Sequence, residues 1–85
     1  MKPIILTRHA LARMARYGLL EATILAAVRD PLWTEPDPRP GIQRRFSRPA
    51  GLDGRYLRVA CVEESDHIRI LSAFPDRDAR PPDGA

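Results

Sequence analysis

His9 and Arg13 stand four residues apart in a segment with helical spacing, so an imidazole and a guanidinium can point at one ligand. A phosphate is the ligand such a pair suits. Cleaving RNA through attack by its own 2′-hydroxyl requires no metal. It requires a proton acceptor, a proton donor for the 5′-oxygen, and cations on the phosphorane oxygens. Histidine, which ordinarily titrates near neutrality, supplies the proton-transfer part when arginines flank it. Arg16 falls within the same arc as His9 and Arg13. The alternative reading is that these three residues are only the solvated face of an amphipathic helix.

A second basic group is Arg44, Arg45 and Arg48, the densest cationic run in the chain. In an extended strand Arg44 and Arg48 share one face and Arg45 takes the other. Arg55 and Arg58 on the next strand extend the patch, and Tyr56 and Phe46 are candidate platforms for stacked bases. Here too a blander reading stands beside the sharp one. Phe46 then belongs to the core, and the arginines pair with Glu63, Glu64 or Asp53. Arg69 lies among alternating apolar residues near the C-terminal end and is a third candidate for holding charge.

Other chemistries lack their residues. The sequence contains no phosphate-binding glycine loop, no dinucleotide turn, no metal-spaced Cys/His cluster, no nucleophile elbow and no obvious carboxylate pair. Metal and cofactor are therefore both expected to be absent. Cys61 lies inside an apolar run with no sequence-local base, which reads as a packing thiol.

Net charge is +3, and all but Lys2 of the 14 cationic residues are arginine. Arginine grips phosphate bidentately and stacks on bases, which suits an RNA or DNA partner. A GC-rich coding sequence writes the same excess, so the count alone decides nothing. One cysteine agrees with a reducing compartment, and no run approaches the roughly 18 to 20 apolar residues of a membrane span. A cytoplasmic protein without membrane contact is expected.

Eighty-five residues make one small domain with little room for a deep pocket. Pro3–Thr7 reads as a strand. Thr7 then caps a helix over about Arg8 to Arg16 that stops at Gly18, with Leu11, Met14 and Ala15 on its apolar side. A second helix spans about Glu21 to Arg29, with Leu20, Ile24, Ala27 and Val28 as its stripe and Leu19 stapled onto Ile24. Asp30-Pro31 ends it. A proline-rich connection follows, with an optional edge strand at Leu32–Glu35. Three strands complete the pattern, at Ile42–Arg48, Arg55–Glu63 and His67–Phe74, the last with Ile68, Ile70 and Phe74 on one face. The expected fold is α+β, ordered β-α-α-β-β-β, with both helices on one face of a small antiparallel sheet. Residues 1–75 form the domain, and 76–85 are expected to be a disordered tail.

The opening TRHALARMARYGL, the helix ending in VRDP, and the pair GRYLRVACVEE and IRILSAFP resemble a small bacterial domain family of unknown function. That family looks related to BrnT-type and RelE-type toxins. The resemblance covers about residues 4–76. It implies a RelE-like fold and, by analogy, an mRNA endoribonuclease toxin silenced by a small acidic antitoxin. On that reading His9, Arg13 and Arg69 are catalytic, and Arg16, Arg44, Arg45, Arg48, Arg55, Tyr56 and Arg58 bind the RNA. The lysines and C-terminal tyrosine of the better-studied toxins have no counterpart here. A non-catalytic nucleic-acid-binding module and a protein-interaction module are the alternatives.

Overall fold

The computed structural model describes residues 1–82. Five strands and two helices follow the order β1 (Ile4–Leu6), α1 (Arg8–Tyr17), α2 (Glu21–Arg29), β2 (Trp33–Pro36), β3 (Gln43–Ser47), β4 (Tyr56–Glu63) and β5 (Ile68–Asp76). The spatial order of the sheet is β1-β5-β4-β3-β2. The expected optional edge strand exists as β2.

The sheet is mixed rather than antiparallel. β2 to β5 form an antiparallel meander, but β1 pairs in parallel with β5, Ile4 opposite Ile68 and Leu6 opposite Ile70. The cause is connectivity. Two helices follow β1, so it has no hairpin partner, and the meander leaves β5 with one free edge whose direction is already set. Both outer strands carry proline, Pro3 just before β1 and Pro36 within β2, which blunts further pairing.

Thr7 starts α1 in extended geometry, and its Oγ1 accepts from the Ala10 N–H at 3.2 Å. Gly18 ends the helix at φ 65°, a left-handed conformation that glycine adopts without a Cβ penalty. The buried residues of α1 are Ala10 and Met14, whereas Leu11 is half-exposed and Ala15 is exposed. The apolar side expected through Leu11, Met14 and Ala15 is thus rotated. Thr7 is tied to β5, with its N–H and Oγ1 both donating to the Ile70 carbonyl, and that anchorage turns Ala10 onto the sheet. In α2, Ile24, Ala27 and Val28 are buried as expected, but Leu20 is the N-cap and points outward. Leu19 is buried in its place, one position before the cap, where it joins Ile24 in the core as a staple.

Core residues from the sheet and both helices gather on one side: Met14, Leu19, Ile24, Val28, Leu57, Val59, Cys61, Ile70 and Ala73 among them. The opposite face is tiled by aromatics. Trp33 stacks on Phe46 at 4.5 Å, and Tyr56 meets Trp33 edge-on at 5.0 Å. A β-bulge at Ala60/Cys61 shifts the register: Ser72 pairs with Ala60, and Ile70 with Cys61. The extra residue, Leu71, resets the alternation of β5. Ile68 and Ile70 therefore face the helices while Phe74 lies under Arg58 on the open face, which corrects the expectation that all three share one side.

β5 runs one residue past the expected domain end at 75, because Asp76 pairs with Tyr56 and its carboxylate meets Arg58. For residues 83–85, the expected disorder lies outside the described residues.

Candidate nucleic-acid interface

Strand alternation sorts the basic residues onto different faces. Arg44, Arg58 and Arg69 project from the open face of the sheet. Arg45 projects toward the helices, and Arg48 and Arg55 flank the β3–β4 loop. Arg8, His9, Arg13 and Arg16 lie on the outward side of α1, in the helix layer. The structure thus brings His9 and Arg13 together but leaves the sheet between them and Arg69.

Each strand arginine is already engaged. Arg44 Nε donates to Asp37 Oδ2 at 3.0 Å, and Asp37 also takes Arg39 at 3.0 Å. The Arg39 side chain, then its backbone N–H, hold the Asp37 carboxyl far below the usual carboxylate range, with Arg44 adding to the effect. Arg45 donates to Gln43 Oε1 at 2.7 Å, to the Val28 carbonyl at 2.9 Å and to Glu63 Oε1 at 2.7 Å. Arg58 lies over the Phe74 ring at 4.3 Å and meets Asp76 at 3.4 Å. Burial, and next the charge of Arg44, pull the Arg58 guanidinium below its ordinary value. Arg69 meets Glu64 at 3.2 Å. Arg48 and Arg55 donate to the Gly54 and Leu52 carbonyls, and Arg48 also covers Tyr56 at 5.5 Å.

The groove beside Arg44 and Arg58, about 430 Å³, shows what this pairing does to the field. Arg80 adds a third cation, but Glu35, Asp76 and Asp78 line the same walls. The charges balance, so the open face offers a polyanion little net attraction. A larger hollow of about 520 Å³, between α2 and the residues around Pro49, is mostly apolar, and no residue of α1 lines it.

The outward face of α1 differs. The helix RHALARMARY contains no acidic residue, and among the described residues Arg8, Arg13 and Arg16 have no carboxylate partner. At 100° per residue, Arg8, Arg16, His9 and Arg13 fill an arc of about 140°. Within it Arg13 Nε donates to His9 Nε2 at 3.3 Å, a loose contact that leaves both groups at the surface. Unpaired cations in an exposed arc can take successive phosphates. The other histidine, His67, is bonded to Asp66 at the β4–β5 turn, so α1 presents one imidazole and no second proton-transfer partner beside it.

Sequence reasoning missed Tyr17. It lies one turn after Arg13, the residue is 37 % exposed, and Arg16 lies over its ring at 5.5 Å. The signal was available in the i, i+4 spacing from Arg13. Of the two candidate stacking platforms, Phe46 is buried against Trp33 and Tyr56 is held between Trp33 and Arg48.

Among the described residues no cluster of His, Cys, Asp or Glu is arranged to hold a metal ion, and no helix is long and apolar enough to cross a membrane. Residues 6–75 match the sequence model of DUF4258, described as a domain of unknown function. Neither the curated proteins nor the solved structures yielded a match.

Proposed function

The chain belongs to the DUF4258 family of domains of unknown function, and from the chemistry of its own surface we propose that it is a nucleic-acid-binding module whose contact face is the outward arc of α1. One observation carries this reading. The arginines of the strands and of the β3–β4 loop are bound to carboxylates or carbonyls of the chain itself, while among the described residues Arg8, Arg13 and Arg16 of α1 have neither kind of partner. Phosphate contacts made by such residues displace condensed counterions, so affinity falls with salt in proportion to their number.

Fluorescence anisotropy with a short labelled RNA tests the proposal across a salt series. Three phosphate contacts give a slope of log affinity against log salt of about −2, at roughly −0.7 per contact on a single strand. Replacing Arg8, Arg13 and Arg16 together by alanine should abolish that slope, while Arg44→Ala and Arg69→Ala should leave it unchanged. A slope near zero in the wild-type chain, or a triple variant that binds as well, rejects the reading.

A stronger form of the proposal is supported by the 3.3 Å contact between Arg13 and His9. In that form the domain is a relative of BrnT- and RelE-type toxins with a RelE-like fold. It cleaves mRNA without metal and is held silent by a small acidic antitoxin. His9 takes the proton of the attacking 2′-hydroxyl and, as the imidazolium, returns it to the 5′-oxygen as the P–O5′ bond breaks, and Arg13 stabilises charge on the phosphorane. Expression in bacteria should then arrest growth, and His9→Ala should relieve the arrest. Intact RNA after incubation with pure, binding-competent protein would leave the binding module and remove the nuclease.

A further inference from the structure

We propose that the ligand of α1 is single-stranded nucleic acid and that Tyr17 stacks on one of its unpaired bases. This rests on the binding face proposed above and adds the kind of strand it takes.

The aromatic inventory comes first. Of the five aromatic residues, four are engaged within the chain. Trp33 and Phe46 are buried against each other with their rings 6° from parallel, Tyr56 sits between Trp33 and Arg48, and Phe74 lies under Arg58. Tyr17 alone among the described aromatics is exposed. The cations beside it on α1, Arg13 and Arg16, have neither a carboxylate nor a carbonyl partner among the described residues, whereas Arg48 beside Tyr56 donates to the Gly54 carbonyl.

Its setting is that of a platform at the edge of the cationic arc, about 40° round the helix from Arg13 on the side toward Ala10. Arg13 stands one turn earlier, a rise of about 6 Å along the axis. Arg16 covers one side of the ring at 5.5 Å, a cation–π contact that leaves the guanidinium free to meet a phosphate. The chain turns away directly after the ring, at Gly18 with φ 65°, and nothing lies within 4 Å of the point where a Cβ on Gly18 would stand. Gly18 borders a hollow of about 210 Å³ between this end of α1 and the loop from Pro49 to Leu52.

An aromatic face discriminates between strands. In a duplex the base faces are stacked inside and a surface helix meets only phosphates, sugars and groove edges. In a single strand each base can leave the stack and lie on a ring. Cations without the tyrosine would favour the duplex, whose charge density is higher, so a preference for the single strand has to come from the ring.

The test compares a labelled RNA oligomer with the same sequence annealed to its complement, using the whole chain. The single strand should bind more tightly. Tyr17→Ala should weaken single-strand binding roughly 5- to 150-fold, the range for one stacked base, without changing the salt slope, because no charge is removed. Tyr17→Phe should retain the affinity. A 2-aminopurine placed in the oligomer should be quenched on binding to the wild-type chain, a readout that depends on no substitution. Equal or tighter duplex binding, a silent Tyr17→Ala, or an unquenched probe overturns the single-strand inference and leaves the phosphate-binding reading intact. Failure to bind either form overturns both.

Discussion

The guanidinium of Arg45 crosses from β3 to the last turn of α2, where Nη1 donates to the Val28 carbonyl at 2.9 Å. That carbonyl is one of those left without an intrahelical partner at a helix C-terminus, and a cation there also opposes the negative end of the helix dipole. With its side chain only 12 % exposed, Arg45 fastens helix to sheet. Arg45→Ala should therefore lower stability by about 1.5–3 kcal/mol, the range for a hydrogen bond to a charged group. Urea unfolding measures this. RNA affinity of the folded variant should keep its salt slope, and a changed slope with unchanged stability would reverse the assignment.

Acid should weaken the fold through its paired carboxylates. Asp37 is held far below its ordinary value of 3.8, chiefly by the Arg39 side chain, and Glu63 is held below 4.5, chiefly by Lys2 and then Arg45. A carboxyl depressed in the folded state binds fewer protons there than in the unfolded chain. Its contribution is present above the unfolded value and is lost as pH falls toward the folded one. The urea midpoint should hold above about pH 5 and decline below about pH 4. Asp37→Asn should flatten that decline, and an equally steep fall in the variant would assign it to other carboxyls.

Helix ends and strand positions were legible because they depend on local chemistry. Thr7, Gly18 and Asp30-Pro31 delimit the helices within one residue, and the Val59–Val62 run occupies a central strand flanked on both sides. The site was less legible because pairing is a tertiary property. Nothing local says that Arg45 will find Val28, 17 residues away, or that Arg58 will find Asp76. The bulge at Leu71 had a similar effect, since one extra residue reverses which face every later side chain occupies. The His9–Arg13 contact, four residues apart on one helix, was readable for the opposite reason.

Cys61 should behave as an inert thiol. It is fully buried on β4 among Leu57, Val59 and Ile70, and burial pushes its pKa up, against a smaller pull from Arg45. The nucleophilic form is the thiolate, so both access and ionisation are suppressed. Labelling with an aromatic disulfide at neutral pH should wait for opening of the sheet, on the order of a thousandfold slower than in urea. Rapid native labelling would show that the β4–β5 ladder opens locally.

The orientation of the proposed binding face depends on Thr7. Its Oγ1 accepts from the Ala10 N–H at 3.2 Å and donates to the Ile70 carbonyl at 2.7 Å, so one hydroxyl both caps α1 and ties it to β5. Arg8 and His9 follow directly, in the turn that frays if the cap is lost. Thr7→Ala should cost about 1–2 kcal/mol, combining the cap with the tether. Thr7→Ser keeps the hydroxyl and should lose little. If the face works as proposed, Thr7→Ala should also weaken RNA binding by a few fold while the residual slope with salt persists, since the cations remain. Amide exchange at Ala10 and Leu11 reports the fraying directly. Unchanged exchange there would mean that Ala10 and Met14, packed on the sheet, hold the helix start without the hydroxyl.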